Sequence, residues 1–511
     1  MKRSEPAGAD RRSALSVKTV PEPLQRIRRF CVSTPFMLMT FAAAALIILF
    51  GIEVPGAVFF VLLISVLLIV CDDLMAILFP VLAACIAVLQ CYDSFNTFIR
   101  LAFLAVIPAG ALIFHFVYYK TSFRLGKSFP GLVAVATAVT LGGLFTIPAK
   151  EYFSPTALYY TVMLGVGMVG IYLLVKSQSE PKEGNSEKFI FILFLMGMLA
   201  CFHTFEIYFE CMTQGSEEWG MAHGLEKACY MRYVDGMTLS DIVSELSVGF
   251  FGVRSTYLSA RLQPGNNLST FLLISMPSAF FLSMKKSRFF LLSVPLTLFS
   301  IFLTRSRGGI VMAFAELFFC LLFMAIAEKR KVTKGIFICA TALYFIAGII
   351  LAIRFSLYDR LVSLIADQTE ARAKLLFRSL KDFSEAPWFG KGLGNLSNRD
   401  LYEGKAGTLP WYHMMIPQII GSMGTLGLVC YIFRFAAQIR LVWQKRSVIT
   451  ATFALSYLGL LLMSQVNPGE FCPLPYGMIA TLLFIMIEEE PDSSARKQPY
   501  RTKRHRHRRR R

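Results

Sequence analysis

The sequence predicts an all-α fold, a polytopic integral membrane protein of about fourteen transmembrane helices. Three observations predict it. Hydrophobic residues make up 55% of the chain and aromatic residues 14%, with a mean hydropathy of +0.56, well beyond the composition of soluble domains. Apolar runs close to the ~20 residues that cross a bilayer recur along the chain. The short connections between these runs alternate between carrying Lys and Arg and being poor in them, the pattern expected when basic residues are retained on the cytoplasmic side.

Taken in order, residues 1–34 form a polar tail carrying Lys2, Arg3, Arg11, Arg12, Lys18, Arg26, Arg28 and Arg29, with Pro21 and Pro23. The first apolar run starts late and continues into further hydrophobic segments, unlike a cleavable signal peptide. Residues 35–208 form an N-terminal transmembrane bundle, with spans at 35–52, 55–71, 74–91, 101–119, 129–148, 156–175 and 188–208. A polar interval at 209–265 is a first extracytoplasmic loop. Residues 266–353 carry spans at 266–284, 288–304, 308–327 and 335–353, and a second polar interval, 354–412, is a large extracytoplasmic loop. Residues 413–488 hold the last spans at 413–433, 447–465 and 471–488, and 489–511 form a polybasic tail.

Orientation follows from the connections. With the amino terminus inside, those at 120–128, 176–187, 285–288, 328–334 and 434–446 are all internal, and each carries at least two Lys or Arg. Those at 52–55, 149–155 and 466–470 are external, and Lys150 is the one Lys or Arg among them. Both termini are then cytoplasmic and both long loops face outside. The formal charge is +19, but ten Lys and Arg residues lie after Asp492 with no acid among them, and taking those ten away leaves +9. The charge is therefore a tail and topology signal rather than a nucleic-acid surface. Under the inner leaflet, each Lys or Arg of the tail near anionic lipid contributes on the order of 1 kcal/mol. The 11 cysteines fall mostly in apolar runs and make neither a CxxC pair nor a Cys/His cluster, which predicts no metal site. Cys211 and Cys229 share the first external loop, where an oxidising exterior permits a disulfide.

Three stretches on the external side stand out, each at a helix end. RLQPGNNLSTFLLISMP places Arg261 ahead of a Pro-Gly turn, with Asn266 and Asn267 capping the following helix. LTRSRGG places Arg305 and Arg307 at the outer surface, with Ser306, Gly308 and Gly309 to cap and tighten the turn. The third runs from Arg372 to Gly427. It holds Arg372 and Arg378, then Pro387, Gly390, Gly392 and Gly394, and finally His413, where the loop returns to an apolar helix bearing Gly424 and Gly427. Arg372 and Arg378 are six apart and point in different directions on a helix. Within the spans, Glu316 lies about 13 Å along a helix from Arg307, too far for direct pairing, and a carboxylate there faces a polar interior. Glu206, His203 and His115 lie nearer helix ends.

In this order the motifs resemble the O-antigen ligase and O-antigen polymerase-like membrane proteins, over approximately residues 255–435. An arginine before a helix start is matched by Arg261 with Gly265, Asn266 and Asn267; a Ser-Arg-Gly turn by Ser306, Arg307 and Gly308. An amphipathic Arg-containing helix running into P-x-x-G-x-G-x-G is matched by Arg372, Arg378, Pro387, Gly390, Gly392 and Gly394. A histidine opening a glycine-bearing helix is matched by His413, Gly424 and Gly427. The resemblance implies a GT-C-like enzyme of the bacterial inner membrane that moves lipid-linked glycans on the outer face. Its donor would be a polyprenyl-diphosphate-linked oligosaccharide and its acceptor a glycan or glycolipid. It also implies catalytic roles for His413 and Arg307, with diphosphate binding by Arg261, Arg305, Arg307, Arg372 and Arg378. The chain departs from the family at Met414 and Ser422, which leaves no acid in the His413 helix to orient the ring.

The chemistry fits these residues on its own terms. Breaking an anomeric bond to a diphosphate at a membrane surface requires its negative charge to be stabilised where water is scarce, and guanidinium groups grip phosphate oxygens bidentately. The external side offers no Asp-x-Asp or His/carboxylate cluster, so this reading calls on no metal and no cofactor. A histidine with a pKa near ~6.5 is suited to take the proton of the attacking sugar hydroxyl, and direct attack inverts the anomeric configuration. A competing class is a transporter or flippase of lipid-linked glycans. Such proteins show inverted repeats with broken helices at the midplane, and no such repeat is visible here. A third is a membrane glycosyltransferase with carboxylates in its first external loop, but that loop offers only Glu53, and Asp72 and Asp73 fall inside. Polymerisation and ligation attack the same donor and stay open.

Overall fold

In the computed structural model of the chain, the described residues are 21–88, 106–119, 124–146, 155–178, 184–213, 238, 265–304, 306–354, 375–393, 412–467 and 469–491. Among them there is helix and no strand. Most of the helices are apolar on every side rather than along one stripe, which suits burial in a bundle or in lipid. The first are α1 (Glu22–Cys31), α2 (Thr34–Phe50), α3 (Glu53–Val70), α4 (Met75–Ala87), α5 (Val106–Tyr119) and α6 (Phe129–Thr146). Next, α7 (Pro155–Val162) passes through a π turn at Met163–Gly167 into α8 (Met168–Gln178), and α9 (Asn185–Thr213) follows. The second half holds α10 (Gly265–Lys285), a 3-10 turn at Arg288–Leu292 leading into α11 (Ser293–Leu303), α12 (Arg307–Ala327) and α13 (Lys331–Arg354). It continues with α14 (375–385), α15 (Met415–Lys445), α16 (Val448–Ser464) and α17 (Met478–Glu489).

Each of the fourteen expected spans overlaps a helix. Among the described residues, five stretches are long and apolar enough to cross a membrane by themselves: Leu158–Lys176, Asn185–Ile207, Asn266–Lys285, Gly308–Ala327 and Met415–Lys445. The α1–α2 pair, bent by 58°, makes a sixth if it is one span. Val54–Val70, Met75–Ala87, Val106–Tyr119, Phe129–Leu144, Arg288–Leu303 and Val448–Ser464 are apolar but shorter, at 10–17 residues. The centre of the bundle is α10, which α9, α12 and α16 surround and whose Leu268, Phe271, Leu272, Leu273 and Ile274 are fully buried.

Side-chain contacts sort many of the helix ends into two sets. In one, Arg28 reaches Asp72 at 3.7 Å, Lys285 reaches Glu187 at 3.5 Å, and Lys127 donates to Gln444 at 2.9 Å. Lys176 lies 3.1 Å from Glu488 and also pairs with Glu489, and Arg288 pairs with Glu328. These are the connections that the Lys and Arg count places inside. The other set holds the ends that carry the Ser-Arg-Gly turn and His413.

Two connections differ from expectation. Residues 434–446, read as a basic internal connection, are largely helical, because α15 runs on to Lys445. The reason is a buried ion pair: Arg434 lies 3.1 Å from Glu470, which also accepts from Tyr457 Oη at 2.9 Å. Glu470, expected in an external connection, is thereby drawn inward, and neither charge is left facing lipid.

Candidate functional site

The Ser-Arg-Gly turn forms because Ser306 caps α12. Its Oγ accepts the Gly309 N–H at 3.0 Å, which satisfies one of the otherwise open donors of the first turn. The same hydroxyl donates to Asn266 Oδ1 at 2.6 Å, and Ser269 and Thr304 share a hydrogen bond of 2.9 Å beneath it. The starts of α10 and α12 are thus bonded to each other, and Arg307 is placed as the first helical residue beside this joint. Tyr476 Oη donates to the Asn267 carbonyl at 2.7 Å and ties the segment before α17 to the same end.

A second joint is built from backbone. α14 buries Leu375, Ser379 and Asp382 and exposes Leu376, Phe377 and Leu380, so it lies on the bundle with an apolar outer face. It ends in the turn Pro387–Gly392, which enters a break in α15 at Gly424, where φ is 62° and ψ is −154°. The break frees two carbonyls and two amides, and the turn meets all four. Lys391 N–H donates to Gly421 and Gly392 N–H to Ser422, both at 2.9 Å; Thr425 N–H donates to Pro387 at 2.8 Å and Leu426 N–H to Trp388 at 3.1 Å. Away from water each such group left unsatisfied would cost several kcal/mol. Gly390, at φ 68°, leaves no room for a side chain: a Cβ would stand 2.3 Å from the Ser422 carbonyl carbon. Lys391 Nζ lies 2.9 Å from Glu385, and this hydrogen bond holds the Glu385 carboxyl below its usual range.

His413 stands two residues before α15 begins, half-buried, with φ 53°. A positive φ is uncommon for a residue other than glycine. Its neighbour Tyr412 is 2% exposed and donates through Oη to Asp382 Oδ2 at 2.5 Å. The histidine turn is therefore attached to α14. The two joints meet through the end of α16: a Cβ on Gly308 would lie 2.7 Å from Val466 Cγ2, and the adjacent Gln465 donates Nε2 to Met415 Sδ at 3.4 Å.

The sequence-derived residues divide accordingly. Ser306, Arg307, Gly308, Gly390, Gly392, His413, Gly424 and Gly427 lie in or next to the two joints. Arg378 lies on α14, 3.3 Å through Nε from the carboxylate of Asp382, which is 1% exposed. Arg261, Arg305, Arg372 and Gly394 lie outside the described residues, as does Cys229, and of Cys211 only its place in α9 is described. Glu316 is fully buried in α12 against Gly459 of α16, and among the described residues neither of its carboxylate oxygens has a hydrogen-bond partner. His115 donates Nδ1 to the Leu68 carbonyl at 2.7 Å, and His203 Nδ1 lies 3.7 Å from Glu206. Among the described residues no group of three or more His, Cys, Asp or Glu side chains is placed to hold a metal ion.

Sequence reasoning missed Tyr412, Asp382 and Gln418, and the Arg434–Glu470–Tyr457 cluster. Asp382 had a signal, since it lies four residues after Arg378, the spacing of a helical ion pair. No curated protein matches the chain. Residues 292–432 match the family model described as O-antigen ligase. That range takes in Ser306, Arg307, the Pro387–Gly392 turn, His413, Gly424 and Gly427, and it leaves Arg261 and Asn266 outside. Over residues 292–432, then, the expected resemblance is shown: this part of the chain is similar to the O-antigen ligase family.

Proposed function

We propose that the protein is an integral-membrane glycosyltransferase that polymerises a polyprenyl-diphosphate-linked oligosaccharide, or ligates it to a glycan or glycolipid acceptor, at the extracytoplasmic face of the bacterial inner membrane. The observation that carries this reading is the O-antigen ligase match, whose limits enclose both the Ser-Arg-Gly turn and His413. In this account His413 takes the proton of the acceptor hydroxyl as its oxygen attacks the anomeric carbon. The bond from that carbon to the diphosphate oxygen breaks, and the leaving diphosphate is received by Arg307 with Arg261 and Arg305. Neither metal nor cofactor is called on, and direct attack inverts the anomeric centre. The basic tails lie against anionic lipid of the inner leaflet.

The test is reconstitution of the full chain with a defined polyprenyl-diphosphate oligosaccharide and an acceptor. A ladder of products identifies a polymerase, a single adduct a ligase. Transfer that persists in chelator supports the arginine mechanism, and transfer that chelator abolishes counts against it. Arg307→Ala and His413→Ala are each expected to lower turnover by about 100-fold or more while remaining in the membrane. Normal transfer by both variants would remove the site assignment.

A further inference from the structure

His413 carries a left-handed backbone, a conformation that persists in a non-glycine residue where its surroundings fix it. The chain on both sides of it is fixed. Tyr412 is held three ways: Oη on Asp382, the backbone N–H on Gln418 Oε1 at 3.0 Å, and the ring over Gly421, where a Cβ would come within 2.6 Å of Cζ. Gln418 in turn donates Nε2 to Ser422 Oγ at 2.7 Å, and its N–H donates to the Met414 carbonyl at 2.9 Å. Asp382 stands between the Tyr412 phenol and the Arg378 guanidinium, so a single buried carboxylate links α14 to the histidine turn. Ser422 also receives the Gly392 N–H, so this clamp and the α15 break share a residue.

We propose that Tyr412 and Asp382 are positioning residues for His413, and that Arg378 serves the clamp through Asp382 rather than gripping the donor diphosphate. The proposal rests on the glycan-transfer reading given above. The clamp acts through the backbone next to the histidine and touches no substrate. Its loss lets the ring move relative to the acceptor hydroxyl, and a displacement of about 1 Å costs up to about 100-fold in rate. It therefore lowers kcat and leaves donor affinity in place.

The experiment uses the full chain in proteoliposomes with a polyprenyl-diphosphate oligosaccharide donor. Tyr412→Phe and Asp382→Asn are each expected to lower kcat by about tenfold or more with the donor KM unchanged. Arg378→Gln takes the guanidinium away from the buried carboxylate and also lowers kcat, and the double variant R378Q/D382N recovers part of that loss because the less compensated charge is gone. Unchanged kcat in Tyr412→Phe would overturn the proposal, as would an Arg378→Gln variant whose donor KM rises at constant kcat. Should Tyr412→Phe fail to fold, the isosteric Asp382→Asn carries the same test. Absence of transfer by the wild type would sink the glycan-transfer reading alone. The clamp is then judged by the rate at which diethyl pyrocarbonate modifies His413: faster modification in Tyr412→Phe supports it, and an equal rate overturns it.

Discussion

The two joints on the His413 side of the bundle are made of different materials. Where α10 meets α12, side chains hold the contact: Ser306, Asn266, Ser269 and Thr304 exchange hydrogen bonds, and Gly309 lets the helices approach, with Ser269 Oγ 2.7 Å from where its Cβ would be. Where α14 meets α15, backbone holds it: four main-chain bonds pass between the Pro387–Gly392 turn and the broken helix, with Gly390 and Gly424 at positive φ. A joint of side chains loses one bond at a time. A joint of backbone admits no added atom at its glycines, and it is the joint that leads to the histidine.

The largest effect is therefore expected at Gly424. Its φ and ψ fall in a region open essentially to glycine alone, and a Cβ would sit 2.7 Å from the Pro387 carbonyl oxygen. Gly424→Ala should cost more than about 3 kcal/mol of local stability, read as a lower unfolding temperature in detergent and the loss of glycan transfer. Retained transfer would mean that α15 heals into a continuous helix without harm to the site. Ser306→Ala removes a helix cap and is expected to cost about 1 kcal/mol, with partial activity remaining. An effect as large as that of Gly424→Ala would erase the contrast between the joints.

The smallest effect is at the opposite end, where charge does the holding. The hydrogen bond from Arg288 holds the Glu328 carboxyl below its usual range. A depressed pKa contributes stability above the ordinary carboxylate range of about 4.3 and loses it as pH falls through the folded value. The stability difference between the wild type and Glu328→Gln should thus be present at neutral pH and vanish under acid, as followed by thermal unfolding against pH. A difference that stays constant with pH would show that the ion pair contributes nothing through its charge.

The same contrast explains what was legible in the sequence. The Ser306 joint could be read because capping uses particular side chains at a fixed offset from the helix start. The glycines at 390 and 424 could be read as a spaced motif, but the break they create could not, because it depends on carbonyls and amides that every residue has. Arg434 was misread as part of a basic connection. Its partner Glu470 lies beyond a further helix, and no local pattern announces a contact that α16 must fold back to make. Asp382 was within reach through its spacing to Arg378, whereas Tyr412 was not, since its bond to Asp382 closes a loop of thirty positions. Each of the fourteen apolar stretches overlaps a helix because hydropathy is a local property, whereas their number as separate spans and their ends are set by packing.

We propose that seating the Pro387–Gly392 turn in the α15 break is what holds the His413 end of the site in working order. Amide hydrogen exchange at Lys391, Gly392, Thr425 and Leu426, measured alongside glycan transfer in the wild type and Gly424→Ala, tests it most directly. Slow exchange and transfer are expected in the wild type, and fast exchange with transfer lost in the variant. Fast exchange at these four amides in a variant that still transfers glycan at the wild-type rate would contradict it.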